Sequence, residues 1–306
     1  MNWALVTISA YFILAIVFLV DKYLLVSSFP NSKVYAFYVG ILGSVVLLVI
    51  PFVDFYIPEA PQLILALVSG AVFLYALSWF YKTLKLFEAS RVIPAVGGLT
   101  PIFTFILIYI ISSGKEVLSF FEMIAFVLLI IGSFLINLRK DKNITFISFK
   151  FSAISAFFLS LSFVLIKYVY VAQPFWNGFI WKTLGSVIMA IIFYLLFSEV
   201  RKNVFKKEKR MSGKTTIIFI LNQATGAGAS ILQNWAIFLA PLACIPIINA
   251  LNGTQYVFLF LFSIILSLKF PQIIKEEISK ESILQKLIAI SLIGLGLLFL
   301  YCRSIN

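Results

Sequence analysis

The sequence predicts an all-α integral membrane protein with ten transmembrane helices, built as two inverted five-helix repeats. Three observations predict it. The first is composition: the 306 residues are 62% hydrophobic and only 12% charged, with a mean hydropathy of +1.08, whereas an ordinary soluble domain is about a quarter charged. Apolar surface on this scale is satisfied by lipid rather than by a core closed off from water. The second is segmentation: the chain divides into ten apolar runs, each near the roughly 20 residues that a spanning helix needs. The third is repetition. Phe18-Leu19-Val20-Asp21-Lys22-Tyr23 returns as Phe163-Val164-Leu165-Ile166-Lys167-Tyr168, and Leu42-Gly43-Ser44-Val45 as Leu184-Gly185-Ser186-Val187. Ser69-Gly70-Ala71 returns as Thr225-Gly226-Ala227, and the pattern of Ala125, Leu128 and Gly132 as Ala289, Leu292 and Gly296, all in the same order.

In chain order the expected spans are about 3–21, 34–52, 62–81, 92–112, 119–138, 151–171, 177–198, 215–237, 243–267 and 285–302. Span 1 is the run Trp3–Val20, closed by Asp21-Lys22. It is too long, and Met1-Asn2 too short of basic charge, for a cleaved signal peptide. Span 2 runs to the acidic loop holding Asp54 and Glu59. Span 3 carries Tyr75 and Trp79, and span 4 is interrupted by Pro94, Gly97-Gly98 and Pro101. Span 5 bears Gly132, span 6 ends at Lys167, and span 7 opens with Trp176, Trp181 and Lys182. The loop Glu199–Lys214, with Arg201, Lys202, Lys206, Lys207, Lys209 and Arg210, reads as a solvated segment. Spans 8 and 9 are rich in amides, and span 10 carries Gly294 and Gly296. These runs are continuously apolar and show no ten-residue alternation, which excludes an outer-membrane barrel. Each copy of the pattern holds five spans. An odd number sends the second copy into the membrane from the opposite side, so residues 1–140 and 141–306 form an inverted pair.

The formal net charge of +12 belongs to topology rather than to nucleic acid, because the positive charges flank the spans. Loops after spans 1, 3, 5, 7 and 9 hold 20 of the 24 Lys and Arg. By the positive-inside rule these loops are cytoplasmic, which makes the chain a multi-pass protein of the cytoplasmic (plasma) membrane with both termini outside. Histidine is absent, which removes the commonest metal ligand, and the two cysteines, Cys244 and Cys302, form no framework. No cofactor is expected. The sequence holds no Walker A motif and no cluster of His, Asp and Glu at a membrane face, so the expectation is a non-enzyme without its own ATP motor.

Glu88-Ala89-Ser90-Arg91-Val92-Ile93-Pro94, then Leu99-Thr100-Pro101-Ile102-Phe103, a short turn with Gly114-Lys115-Glu116, and the span ending Ile131-Gly132-Ser133 make up one half of a further pattern. Ala250-Leu251-Asn252-Gly253-Thr254-Gln255-Tyr256-Val257-Phe258, Glu276-Glu277 and Ile293-Gly294-Leu295-Gly296 make up the other. In order and double occurrence this resembles the EamA branch of the drug/metabolite transporter superfamily, over nearly the whole chain. The resemblance implies a ten-helix carrier with a central cavity and with spans 5 and 10 at the periphery. It also implies cytoplasmic termini, against the charge count of this chain.

Candidate substrate-binding residues come from polar groups placed deep in apolar spans, where a charge costs about 2.5–3.5 kcal/mol on insertion scales. Lys182 stands inside span 7 opposite Gly40 of the first copy, so the scaffold itself does not require the charge. Gln223, Gly226, Ser230 and Gln233 fall on one face of span 8, with Asn222 and Asn234 beside them, and Asn249, Asn252 and Tyr256 share a face of span 9 next to Gln255. Interhelical hydrogen bonding accounts for one or two amides per helix but not for this many in one half. Tyr75 and Trp79 are their aromatic counterparts in the first half. Pro94, Gly97, Pro101, Pro246 and Gly253 interrupt the helix ladder and are the candidate kink or gate positions. Lys22 and Lys167 read as lysines snorkelling to the interface, and Gly43, Gly132, Gly185, Gly294 and Gly296 as packing glycines. Asp21 is the carboxylate nearest a span interior, still at the edge of span 1, where Lys22 or another cation could pair with it. The expected function is a secondary transporter of a small polar metabolite (neutral, zwitterionic or anionic), working as a monomer or homodimer in the lipid bilayer and without a nucleic-acid partner. The rival is an integral membrane enzyme or flippase acting on a lipid-linked intermediate.

Overall fold

A computed structural model describes residues 3–111, 120–138, 142–205, 213–242, 245–253, 255, 256, 258, 259, 262 and 279–303. Among them the chain is helical, with no strand. In a bilayer no water is present to take up spare backbone N–H and C=O groups, so a helix, which satisfies them internally, is the form these apolar runs adopt. Seven helices among the described residues are long and apolar enough to cross a membrane: Trp3–Ser27, Ser32–Phe52, Ala60–Leu86, Ala89–Ile111, Phe146–Ala172, Phe175–Leu196 and Gly213–Leu239. The protein is therefore a multi-pass, membrane-embedded α-protein.

The helices are α1 (Trp3–Ser27), α2 (Ser32–Leu42), α3 (Ala60–Leu86), α4 (Ala89–Ile111), α5 (Phe120–Asn137), α6 (Lys142–Ala172), α7 (Phe175–Leu196), α8 (Ser198–Phe205), α9 (Gly213–Leu239), α10 (Ile245–Ala250) and α11 (Lys280–Arg303). Span 2 is divided: α2 gives way to a 3-10 helix over Gly43–Phe52, which ends past Pro51. The side chain of Asn31 starts α2 by accepting from the Val34 amide at 2.9 Å. Part of the expected span 9 lies outside the described residues, as do Lys115, Glu276, Glu277, Cys244 and Lys206–Arg210.

Small residues set the closest helix approaches. A Cβ on Gly185 would run into the Leu67 carbonyl of α3, and one on Gly70 into the Lys182 carbonyl of α7, while Ser186 Oγ donates to Gly70 O at 2.8 Å. A Cβ on Gly132 would stand 2.7 Å from Ile293 Cγ1, and one on Gly296 2.9 Å from Ala125 O, which joins α5 to α11. Gly294 has open space where a Cβ would go, so the expectation that it packs a helix is corrected. α1 packs along α9 and α6 along α3, a correspondence that relates the first span of each half to the third span of the other.

The lysines expected to snorkel do something else. α1 continues through Ser27, so Lys22 is buried; its Nζ donates to the carbonyls of Leu84 at 2.6 Å and Phe87 at 2.7 Å, at the end of α3. Lys167 donates to Ile237 O at 3.0 Å, Phe238 O at 3.2 Å and Ala240 O, at the end of α9. Each lysine satisfies carbonyls that a helix C-terminus leaves over and sits at the negative end of its dipole. A buried ion cluster closes the same level around α4. Glu88 Oε2 takes Arg91 Nε at 3.2 Å and Lys286 Nζ at 2.6 Å. Arg91 also donates to the carbonyls of Ile136 and Leu138 at 3.0 and 2.9 Å and to Ser282 Oγ at 2.9 Å, tying α4 to α5 and α11.

Candidate functional site

A cavity of about 520 Å³ lies between α1, the two segments of span 2, α3, α4, α6, α7, α9 and residues Asn249, Asn252 and Gln255. Most of its wall is apolar: Leu14, Val17 and Phe18 from α1, Phe73 and Leu77 from α3, and Val45 and Val49 from the 3-10 segment. Polar groups are few and come mainly from α7, α9 and the segment after α10.

Of the residues singled out in the sequence, Lys182, Gln223, Ser230, Gln233, Asn249 and Asn252 line this cavity, as does Gly97, beside Asn252. The face of α9 that carries Gln223, Gly226, Ser230 and Gln233 is turned to it as one stripe. Asn222 and Asn234, on neighbouring positions, do not line it; they hold the charged residues described below. Lys182 is 3% exposed. Its Nζ donates to Asn234 Oδ1 at 2.8 Å and lies 4.6 Å from the Phe73 ring centre. One of three ammonium hydrogens is thus used by an amide and the charge is met by a ring face, with no carboxylate paired to it among the described residues.

Tyr75 is placed elsewhere. It packs against Phe158 with ring centres 4.9 Å apart, and against Trp79, between α3 and α6 rather than on the cavity wall. Tyr256 is buried behind Gly97, whose missing Cβ leaves room for the phenol tip. Pro94 and Pro101 lie inside α4, which runs through both without ending, and are buried in the protein. Gly253 stands just past α10; Pro246 is within α10, and its side chain lies outside the described set.

Hydrogen bonding around the segment after α10 is incomplete. Asn249 Nδ2 donates to Thr104 Oγ1 at 2.9 Å. Yet Asn249 Oδ1, Asn252 Oδ1, both ends of the Gln255 amide and the Tyr256 hydroxyl are buried without a hydrogen-bond partner among the described residues. Buried polar groups are almost always paired, and an unpaired one costs about 1–3 kcal/mol. Three of these four residues line the cavity.

Asp21 belongs to the site although its place in the sequence suggests the edge of span 1. α1 runs six residues beyond it, and Asp21 is 1% exposed on the cavity wall. Its Oδ1 accepts from Tyr35 Oη, from Asn222 Nδ2 at 2.7 Å and from Gln223 Nε2 at 3.4 Å. Behind it, the rings of Phe29, Tyr81 and Phe219 close on Tyr35, with centres 4.6, 4.8 and 5.4 Å away. The sequence does carry a signal for this: Leu14, Val17, Phe18 and Asp21 fall on one helical face, and Tyr23-Leu24-Leu25-Val26 continues the apolar run past the charge pair.

No protein-family model and no curated protein matches this chain. Twenty-one solved chains do, by fold. One of them, described only as the crystal structure of a protein, aligns over 99% of this chain and 97% of its own length with a TM-score of 0.58 at 13% identity. A likeness at that identity concerns the fold alone.

Proposed function

We propose that this chain is a secondary transporter of the EamA kind, which moves a small polar metabolite (neutral, zwitterionic or anionic) by alternating access of one central cavity. The observation that carries the reading is a set of amide atoms without a partner among the described residues, Asn249 Oδ1, Asn252 Oδ1 and both ends of Gln255, in a cavity that also holds Lys182. A solute with hydroxyl, amide or carboxylate groups completes those hydrogen bonds, and an anionic group on it meets the lysine. The wall opposite is apolar and aromatic, so it shapes the solute without competing for it.

Two features support the inverted-repeat machine. Lys22 and Lys167 occupy equivalent positions in the doubled pattern and cap the third span of different halves, α3 and α9 respectively. The pairings of α1 with α9 and of α6 with α3 are related in the same way. In an inverted pair, rocking of one half against the other presents the same site to each side in turn. On this reading the carrier needs no cofactor and sits in the plasma membrane with both termini outside.

The test is flux. Gln233→Leu and Asn252→Leu proteins, reconstituted in vesicles and screened for counterflow of labelled amino acids, nucleosides and sugar phosphates, lose exchange while keeping wild-type abundance. Unchanged exchange in both removes the cavity assignment. A second reading, a flippase for a lipid-linked intermediate, draws on Val45, a cavity-lining residue of the 3-10 segment that is 57% exposed: a wall open there would admit a lipid-linked group. Movement of a fluorescent polyprenyl phosphate between leaflets of the same vesicles, with no exchange of soluble solutes, would establish that reading.

A further inference from the structure

Among the described residues, Asp21 and Lys182 are the two buried charges on the cavity wall. They do not neutralise one another. α9 measures their separation: Asn222 bonds Asp21 and Asn234 bonds Lys182. Twelve residues of helix separate those two amides, roughly 18 Å at about 1.5 Å per residue. That distance rules out a direct ion pair and places the two charges near opposite ends of the cavity.

The surroundings of Asp21 are otherwise neutral or occupied elsewhere. α2 contributes Tyr35, α3 contributes Tyr81, and α9 contributes Asn222 and Gln223. Lys22, next in sequence, directs its Nζ to the carbonyls of Leu84, Lys85 and Phe87. Lys85 reaches the carbonyls of Phe29 and Pro30 at 2.6 and 2.7 Å. Arg91 of α4 is engaged with Glu88, Ile136 and Leu138. All three hydrogen bonds to Asp21 converge on Oδ1. They hold the carboxyl by one oxygen, which makes Oδ2 the one to take up a proton on the reading that follows.

From this geometry we infer that Asp21 is a proton-binding site of the cavity, at the far end of α9 from Lys182 and apart from the unpaired amide atoms of Asn249, Asn252 and Gln255. The inference rests on the carrier reading for its purpose, because a proton taken up there is the coupling ion. Three features select a proton over other cations. At 1% exposure, with Tyr35, Asn222 and Gln223 already on Oδ1, the carboxyl offers too little surface to take an organic ammonium. Its neighbours point hydroxyl and amide hydrogens at it, whereas a hard metal ion needs a shell of oxygen acceptors. A proton needs one lone pair and no space. The step balances simply: an O–H bond forms at Oδ2 as hydronium in the cavity becomes water, and the reverse transfer to water releases the proton at the other side.

Binding has a mechanical readout. The Tyr35, Asp21 and Gln223 contacts join α2, α1 and α9 at one point, and Gln223 Nε2 also donates to Tyr35 Oη at 3.1 Å. Neutralising the carboxylate weakens charge-assisted bonds at that junction and leaves neutral ones in their place. The tie between α2 and α9 is thereby loosened when the proton is on.

Infrared difference titration of purified protein in lipid nanodiscs tests the site without any substrate. The expected result is a protonated-carboxyl C=O band that appears on acidification and is lost in Asp21→Asn. Tyr35→Phe keeps the carboxyl and so keeps the band, at a displaced frequency, which guards against a misfolded Asn variant. Counterflow of labelled glutamate, alanine and glucose 6-phosphate in vesicles supplies the second arm. A pH gradient accelerates uptake by the unaltered protein, and in Asp21→Asn the ratio of uptake with the gradient to uptake without it falls to about one. Absence of an Asp21-dependent band, or an Asn variant with the wild-type response to the gradient, overturns the proposal. A band that persists in a protein with no exchange of any solute sinks the carrier reading and leaves the proton site standing.

Discussion

An amide or a lysine buried beside an apolar cavity is expensive, and the expense identifies what each polar residue is for. Asn222 and Asn234 offset their burial inside the protein by holding Asp21 and Lys182. Asn252 Oδ1 and the Gln255 amide have no such partner among the described residues. The two groups of amides therefore respond differently to mutation. Asn252→Leu removes an unpaired oxygen, so thermal stability holds or rises while solute exchange falls. Asn234→Leu strands the ammonium of Lys182, and losing a hydrogen bond to a charged group costs about 1.5–3 kcal/mol, read as a lowered unfolding temperature. A Lys182→Gln protein separates substrates by charge. Hydrogen bonds to charged groups are worth about 1.5–3 kcal/mol, so the apparent KM for an anionic substrate rises roughly ten- to a hundredfold. For a neutral one it hardly moves. Equal effects on both would remove Lys182 from the binding site.

At the scale of the helix, contact geometry decides which glycines matter. Gly185 and Gly294 look alike in sequence, each set in an apolar run. The first abuts the backbone of α3 at Leu67, and the second faces open space. Gly185→Ala therefore forces α3 and α7 apart, a cost of about 1–3 kcal/mol by overpacking, whereas Gly294→Ala leaves the unfolding temperature unchanged within error. Equal melting of the two variants in detergent would contradict the α3–α7 contact. The lysine caps belong to this scale as well. Lys22→Met leaves the last carbonyls of α3 without their cationic donor, for an expected loss of about 1.5–3 kcal/mol. Span 2 holds the least regular element. Its 3-10 stretch covers ten residues, Gly43–Phe52, whereas such runs seldom exceed three or four and often mark a hinge.

For the molecule as a whole, membrane class and helix positions are legible in the sequence because lipid imposes a length and a composition on every span. The polar face of α9 is legible because its 3.6-residue spacing survives in the apolar context of span 8. Asp21, Lys22 and Lys167 are not, for one reason: charged residues near the end of an apolar run look like interface residues, and only tertiary contacts with α2, α3 and α9 show them buried. Tyr75 is misplaced by sequence because the repeat says which positions correspond but not which face of α3 meets α6. On the proposed carrier reading, the repeat also makes a prediction about the opposite state. Here α3 and α7 are in intimate contact through Gly70, Leu67, Gly185 and Ser186. Among the described residues, α9 and the segments of span 2 do not pack to a comparable extent. Alternating access by an inverted pair exchanges these two interfaces. The doubled pattern maps Ser186 onto Ser44 and Gly70 onto Gly226, so Ser44 should approach Gly226 in the other state as Ser186 approaches Gly70 in this one. Gly226 has room for it: among the described residues a Cβ there would meet only Val17 Cγ1, at 3.4 Å. With Cys244 and Cys302 replaced by serine, a Ser44→Cys, Gly226→Cys protein should form a cross-link during turnover in vesicles, and solute exchange should stop until the bond is reduced. A protein that exchanges solute at the normal rate without ever forming that bond would show that the two halves do not trade conformations.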